Sequence, residues 1–242
     1  MRLTKFAVTG LLLLAGTAQA TTLVVRATGP SSAAYPPGKT LPDTARIMLK
    51  ANDIVMLLDA RGTRTLRGPG NFSALSTASA DTNSNGTALA ALVEQRGDRR
   101  VRIGAVRSAD SVQRTPPGIW YVDTSKAGTV CVADPAHAML WRAGSDVAAT
   151  TTISGAPGAS AKIDWNPGEA VQPWPAALPL TAGARYRVVG TGAPVDLKVA
   201  IVTAGGTDPQ AIAKTLITAG CSNQVDLLLA KVDAANAANA SK

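Results

Sequence analysis

The chain has few of the residues on which most catalytic and metal sites depend. It contains one histidine, two cysteines and only 4% aromatic residues among its 242 positions. Two distant cysteines and a single histidine do not supply the four ligands of a structural zinc site. No G-x-S-x-G turn, H-E-x-x-H helix or P-loop is present either. The sequence therefore predicts no catalytic residue, no metal site and no cofactor.

Long apolar runs are also missing, except at the start of the chain. Residues 1–20 begin with Arg2 and Lys5, continue through an apolar stretch from Phe6 to Ala15 and end in Ala18-Gln19-Ala20. These three parts are typical of a secretory signal peptide, and the stretch is too short to span a bilayer. We expect cleavage near Ala20, a periplasmic or secreted protein, and no transmembrane segment in the mature chain.

Cys131 and Cys221 are the whole cysteine content of the chain. An even count in an oxidising compartment favours a disulfide, with two buried free thiols as the alternative. The bridge would close a loop of about 90 residues and stabilise the fold by roughly 4 kcal/mol in the chain-entropy model.

Charge and aromatic residues are distributed unevenly along the chain. Residues 21–114 hold 13 Lys and Arg against 7 Asp and Glu, whereas residues 115–242 hold nine of each. All four tryptophans follow residue 115. This change in composition, together with the turn-forming segment that leads to Pro117, predicts a basic first domain over 21–110 and a second domain over 115–206.

Short runs of β-forming residues, separated by glycine and proline, predict a mainly β fold. Regular strand spacing favours a β-sandwich over residues 115–206. Two helical patterns occupy 207–235, and Asp208 can cap the first with Pro209 at its first position. We expect these helices to pack on the sandwich and residues 236–242 to form a disordered tail.

The first domain is expected to contain short strands and one short helix. The continuous apolar run Ile54–Leu58 predicts a strand covered on both faces. The neighbouring run Thr63–Arg67 is polar except for Leu66 and predicts an edge strand. Apolar residues at helical spacing predict the short helix over Thr87–Glu94.

One segment of this domain has a recognisable order of elements. Leu49–Gly70 combines a short strand, an acidic turn at Asn52-Asp53, an apolar strand, a D-x-x-G hairpin from Asp59 to Gly62 and a closing Gly68-Pro69-Gly70. This order resembles the FecR-like β module of bacterial envelope proteins, over about residues 41–72. The resemblance implies a small, compact β domain. Signalling members of that family carry a membrane-spanning helix, which a predicted cleavable signal replaces here. The whole chain resembles uncharacterised periplasmic proteins of alphaproteobacteria, which implies no activity.

The basic residues of the first domain are candidates for a binding surface. They could attract an anionic cell-envelope polymer, lipid headgroups or an acidic envelope protein, and the alternative is a solvated outer face. Nucleic acid is not expected, because the protein is predicted to be exported and aromatics are scarce among these arginines. The candidates are Arg61, Arg64, Arg67, Arg99, Arg100 and Arg102.

The tryptophans divide into core and surface candidates. Trp120 and Trp141 lie in apolar strands and are expected in the core. Trp174 stands between Pro173 and Pro175, where a strand does not easily continue, and it is a candidate for an exposed binding platform.

Two residue pairs keep an enzymatic function open. Asp134 could orient His137, and the pair Asp164 and Glu169 lies beside an aromatic, as in a glycosidase. Both pairs lie in turns, where solvated side chains are common. We therefore expect a non-enzymatic periplasmic binding or scaffold protein that acts through protein or anionic-polymer contacts. The alternative is a carbohydrate-active or other hydrolytic enzyme of the cell envelope.

Overall fold

The computed structural model describes residues 21–75, 115–156, 158–190 and 192–240. Over these ranges it contains fourteen strands and two C-terminal α-helices, which confirms the predicted mainly β fold with a helical end. No helix in these ranges is both long enough and apolar enough to cross a bilayer. The predicted signal peptide and the predicted helix over Thr87–Glu94 lie outside the described residues, as do Arg99, Arg100 and Arg102.

Six strands form the first part of the fold. A four-stranded antiparallel sheet has the order β2-β1-β4-β5, and a separate antiparallel pair joins β3 to β6. The strands are β1 (Thr21–Thr28), β2 (Thr40–Pro42), β3 (Arg46–Leu49), β4 (Ile54–Asp59), β5 (Gly62–Arg67) and β6 (Gly70–Ser73).

Strand β4 is covered on both faces, as its continuous apolar run predicts. Val55 and Leu57 pack with Ile47 of β3 in one core. Met56 and Leu58 point to the opposite face and pack against the C-terminal helices. Strand β5 has one neighbour and forms the edge of the sheet, as predicted from its polar sequence. The first part is therefore layered, with its main sheet between the β3–β6 pair and the helices.

The second part is a β-sandwich, as predicted. A five-stranded sheet with the order β11-β10-β13-β14-β8 shares one core with a three-stranded sheet, β12-β9-β7. Strand β8 runs parallel to β14, and β7 runs parallel to β9. The strands are β7 (Val122–Asp123), β8 (Gly128–Val132), β9 (Met139–Trp141), β10 (Ala149–Ser154), β11 (Ser160–Trp165), β12 (Val171–Pro173), β13 (Arg185–Val189) and β14 (Val195–Ile201). Trp141 is buried as expected, whereas Trp120 is half-buried.

Two helices complete the chain, α1 (Pro209–Thr218) and α2 (Ser222–Ala240). Asp208 caps α1 as predicted, because its carboxylate accepts the Gln210 and Ala211 backbone N–H groups. The predicted disordered tail over 236–242 is wrong as far as Ala240, since α2 continues to that residue. Alanine favours a helix, and the Asn236 side chain fastens this end by donating to the Arg61 carbonyl at 3.0 Å.

The helices pack on both parts of the fold. Their apolar residues Ile212, Leu216 and Leu228 share one core with Leu23 and Leu58 of the first sheet. The same core includes Ile119 and Cys131 from the sandwich part. The expectation that the helices pack on the sandwich was therefore incomplete, because they also cover the helix-facing side of the first sheet.

Cys131 in β8 and Cys221, immediately before α2, form the predicted disulfide. Their sulfur atoms are 2.00 Å apart and their Cα atoms 5.8 Å apart. Both residues are fully buried. The bridge therefore joins the last helix to the outermost strand of the five-stranded sheet.

Gln224, in the first turn of α2, seals the edge of β8. Its side-chain oxygen accepts the Cys131 N–H at 2.6 Å, and its side-chain nitrogen donates to the Cys131 carbonyl at 2.8 Å. These two bonds replace those that a further strand would make with β8. The same nitrogen donates to the Ile119 carbonyl at 2.7 Å. The buried amide thus satisfies three backbone groups that would otherwise be left without a partner.

Asp53 joins two turns of the first part. Its buried carboxylate accepts the backbone N–H groups of Ser31, at 2.8 Å, and of Lys50. Burial raises the pKa of Asp53, but these hydrogen bonds outweigh burial and bring the pKa below its ordinary value. The carboxylate also needs a glycine at position 29, where φ is +99° and a Cβ would lie 2.6 Å from Asp53 Oδ1.

The disulfide generates the first prediction. The double variant Cys131→Ala/Cys221→Ala should lose about 4 to 5 kcal/mol of unfolding free energy. Without the cross-link that closes this long loop, the unfolded chain gains conformational entropy. Urea unfolding of variant and wild type measures this difference. A thiol assay on the denatured, unreduced protein is the accompanying control, and two free thiols per chain would contradict the bridge.

The amide of Gln224 generates the second prediction. Gln224→Met keeps the length of the side chain but leaves three buried backbone groups unpaired, and should cost about 3 to 5 kcal/mol of unfolding free energy. Its exposed neighbour Asn223 makes one bond, to the Ala127 carbonyl, so Asn223→Ala is the matched control with a loss below about 1 kcal/mol. Equal losses for the two variants in urea unfolding would show that Gln224 does not seal the edge.

Asp53 generates a prediction of pH dependence. Because its pKa is lowered in the folded state, its contribution to stability is present above the unfolded pKa of about 4 and is lost as the pH falls through the folded pKa. Asp53→Asn should therefore destabilise the protein at neutral pH, and the difference from wild type should shrink in acid. Thermal melting at several pH values tests this, with the exposed Asp146→Asn as control. A difference that stays constant with pH would contradict the role of the carboxylate.

Candidate binding surface

The structure describes three of the six arginines predicted to form a basic face, and they do not share one. In β5, Arg64 points to the same side as the core residue Leu66, while Arg67 points to the other side and is exposed. The Arg64 guanidinium donates to the carbonyls of Ser73, at 3.1 Å, and of Ala74. The Arg64 side chain therefore has a structural role, because its guanidinium holds the end of β6 against β5.

Trp174 is not an exposed platform, and that prediction was wrong. Its side chain is 9% exposed and its indole N–H donates to the Leu178 carbonyl. The ring packs edge to face against Tyr186, with centroids 5.0 Å apart. Proline does end strand β12 here, but the following turn folds the indole back into the sandwich core and supplies an acceptor for its N–H.

Asp134 and His137 form a capped turn. Asp134 Oδ2 lies 2.8 Å from His137 Nδ1, and the same carboxylate caps the short 3-10 helix Pro135–His137. The hydrogen bond from His137 contributes most to lowering the pKa of Asp134. The imidazole is 81% exposed, and no described serine, threonine or cysteine side chain hydrogen-bonds to it. The geometry is that of a solvated turn and lacks the nucleophile contact of a hydrolase.

Asp164 and Glu169 are both held as carboxylates. The Thr150 hydroxyl donates to Asp164 at 2.7 Å and lowers its pKa. The Asn166 backbone N–H donates to Glu169 at 2.9 Å and lowers its pKa as well. A glycosidase needs one carboxyl group with a raised pKa to act as general acid. The hydrogen bonds around Asp164 and Glu169 instead lower the pKa of both carboxyl groups.

A cleft of about 320 Å³ lies between β8 and the first turns of α2. Its lining combines apolar residues with charged residues of both signs, one of which, Asp226, already pairs with Arg26 at 2.8 Å. The cleft is large enough for a small molecule but does not select a ligand charge. Residues that line it include Tyr121, Asp123, Lys126, Val130, Leu197 and Leu227.

The outer face of the five-stranded sheet brings together cations that are far apart in the sequence. Ile163, Val188 and Leu197 enter the core, so their neighbours along each strand point outward. The helices cover this side at one edge of the sheet, where Cys131 of β8 and the neighbouring Ala200 of β14 belong to the helix-facing core. The exposed cations of this outer face are Lys162, Arg185, Arg187 and Lys198.

Two of these cations have no acidic partner. Lys162 pairs with Asp164 and Arg187 with Asp196, each at 3.4 Å. Arg185 and Lys198 instead stand directly opposite each other on β13 and β14. Among the residues that the structure describes, neither forms an ion pair. The centre of positive charge on the outer face is therefore this cross-strand pair.

The charge balance of the second half conceals this surface in the sequence. Residues 115–242 are neutral overall, and so is their β part, 115–206, which holds six Lys and Arg and six Asp and Glu, so composition does not show that four of those six cations lie on one face. The available signal is local: Arg185 and Arg187 alternate with Tyr186 and Val188, a pattern that predicts a strand with one basic face.

No family model, curated protein or solved structure matches this chain. The FecR-like assignment of about residues 41–72 therefore stays a prediction.

Proposed function

We propose that this protein is a non-enzymatic binding protein of the cell envelope and holds an anionic polymer on its outer face. The observation that supports this most is the pair Arg185 and Lys198, two exposed cations placed directly opposite each other. Like charges at opposed positions of a sheet are destabilising. An anionic ligand would offset that repulsion on binding.

The position of the pair suits binding. Arg185 and Lys198 stand on the internal strands β13 and β14, whose inward residues Tyr186 and Leu197 are buried in the sandwich core. The backbone of Lys198 is paired with β13 on one side and β8 on the other, and that of Arg185 is paired with β14, so little main-chain freedom is lost when a ligand binds. Cationic side chains on a sheet that is already ordered can therefore bind an anion with little loss of conformational entropy.

A location outside the cytoplasm is part of this proposal. The disulfide between Cys131 and Cys221 fits an oxidising compartment, and the apolar start of the sequence fits export. Periplasmic polymers with carboxylate or phosphate groups are ligands that a cationic face would meet there. The hydrolase alternative has less support, because Asp164 and Glu169 both have lowered pKa values.

The test removes the unpaired cations. Arg185→Gln/Lys198→Gln should weaken binding to polygalacturonate at low salt about 30-fold, since each cation near an anionic surface contributes about 1 kcal/mol. Binding of the wild type should also weaken with added salt, because exposed charges are screened. Isothermal calorimetry on the disulfide-bonded protein measures both effects.

A matched control separates the outer face from net charge. Arg46→Gln/Arg67→Gln removes the same number of charges from exposed positions of the first part of the fold, and should change affinity by less than about threefold. Equal losses for the two double variants would reject the outer face as the site. A wild-type protein that binds no polyanion at low salt would reject the polymer as ligand.

A further inference from the structure

The cations of the outer face follow a diagonal across four strands. Lys162 on β11 is opposite Thr152 on β10, and Ser154 on β10 is opposite Arg187 on β13. The diagonal ends at Lys198 on β14. With strands about 4.8 Å apart and same-face residues about 6.8 Å apart along a strand, the Cα atoms of Lys162 and Lys198 are about 20 Å apart. We call this line of residues the diagonal track.

Uncommitted hydroxyl groups occupy the middle of the diagonal track. Thr152 and Ser154 lie on the outer face of β10, between Lys162 and Arg187, and both are half-exposed. Within the described ranges neither side chain hydrogen-bonds to the protein, whereas the nearby Thr150 hydroxyl is used by Asp164. A hydroxyl both donates and accepts, so these two can bind hydroxyl groups of a ligand.

Two carboxylates flank the diagonal track and limit the charge density it accepts. Asp164 neighbours Lys162, and Asp196 neighbours Arg187. Exposed pairs of this kind contribute at most about 1 kcal/mol, so Lys162 and Arg187 can still meet a ligand anion. A polymer with closely spaced charges would meet the two aspartates as well, and like-charge contacts select against it.

We infer that the ligand is a linear acidic polysaccharide that lies along the diagonal track. Its carboxylates contact Lys162, Arg187 and the Arg185–Lys198 pair, and its sugar hydroxyls contact Thr152 and Ser154. On the described strands of this face no aromatic side chain points outward, so stacking of nucleic-acid bases has no support. This inference rests on the proposed function and adds the class of polymer and its direction across the sheet.

The first experiment removes the hydroxyls without changing charge. Thr152→Val/Ser154→Ala should lower affinity for polygalacturonate about tenfold, the effect of two lost hydrogen bonds. It should leave the weaker binding of polyphosphate unchanged. The exposed strand residue Thr65 supplies the control, and Thr65→Val should affect neither ligand. Unchanged affinity of Thr152→Val/Ser154→Ala for polygalacturonate would overturn the diagonal track, even where Arg185→Gln/Lys198→Gln weakens binding as expected and so supports the proposed function.

The second experiment tests direction with an oligogalacturonate length series. Lys162→Gln should weaken the binding of oligomers long enough to reach from Lys198 to β11 and leave shorter ones unaffected. Equal effects at all lengths would overturn the diagonal arrangement while leaving polyanion binding intact. Polyphosphate that binds as tightly as polygalacturonate would overturn the polysaccharide class, and a failure of both polymers to bind would reject the proposed function itself.

Discussion

The two hydrogen bonds between the Gln224 amide and the backbone of Cys131 join the helical end to the β part of the protein. Strand β8 ends the five-stranded sheet, and no further strand of the described ranges satisfies its outward N–H and carbonyl groups. Because helix α2 supplies that partner and the disulfide holds it there, the helix cannot leave without exposing buried polar groups. The opposite side of the helical pair then covers Leu23 and Leu58 of the first sheet. One sealed strand edge thus connects both parts of the fold.

Among the described residues, this arrangement leaves the outer face of the five-stranded sheet largely uncovered. Helices cover the first sheet on one face and the β3–β6 pair covers it on the other, while the sandwich core covers the inner face of the five-stranded sheet. The outer face keeps its cations exposed because the helices reach only as far as β8 and part of β14. The packing that stabilises the helices therefore also determines which part of this sheet stays exposed.

Short-range patterns predicted much of the fold. The both-sided burial of β4, the edge position of β5 and the cap at Asp208 each follow from a few neighbouring residues. The Cys131–Cys221 bridge followed from cysteine count and compartment. The contacts of Gln224 with Ile119 and Cys131 span 105 and 93 residues, so no pattern of neighbouring residues predicts them. The outer face was missed for a related reason, since its cations meet only through strand register, and Trp174 because a turn reverses its side chain into the core.

The helical end has a consequence for the order in which this protein folds. Leu23 and Leu58 precede the sandwich part in the sequence, yet the residues that cover them, such as Ile212 and Leu228, follow it. Non-local contacts of this kind require closure of a long loop before they stabilise anything, which slows folding. The first sheet can pair its strands early, but its apolar surface stays exposed to water until the two helices pack on it. Loss of α2 would therefore destabilise the first sheet as well as the sandwich part.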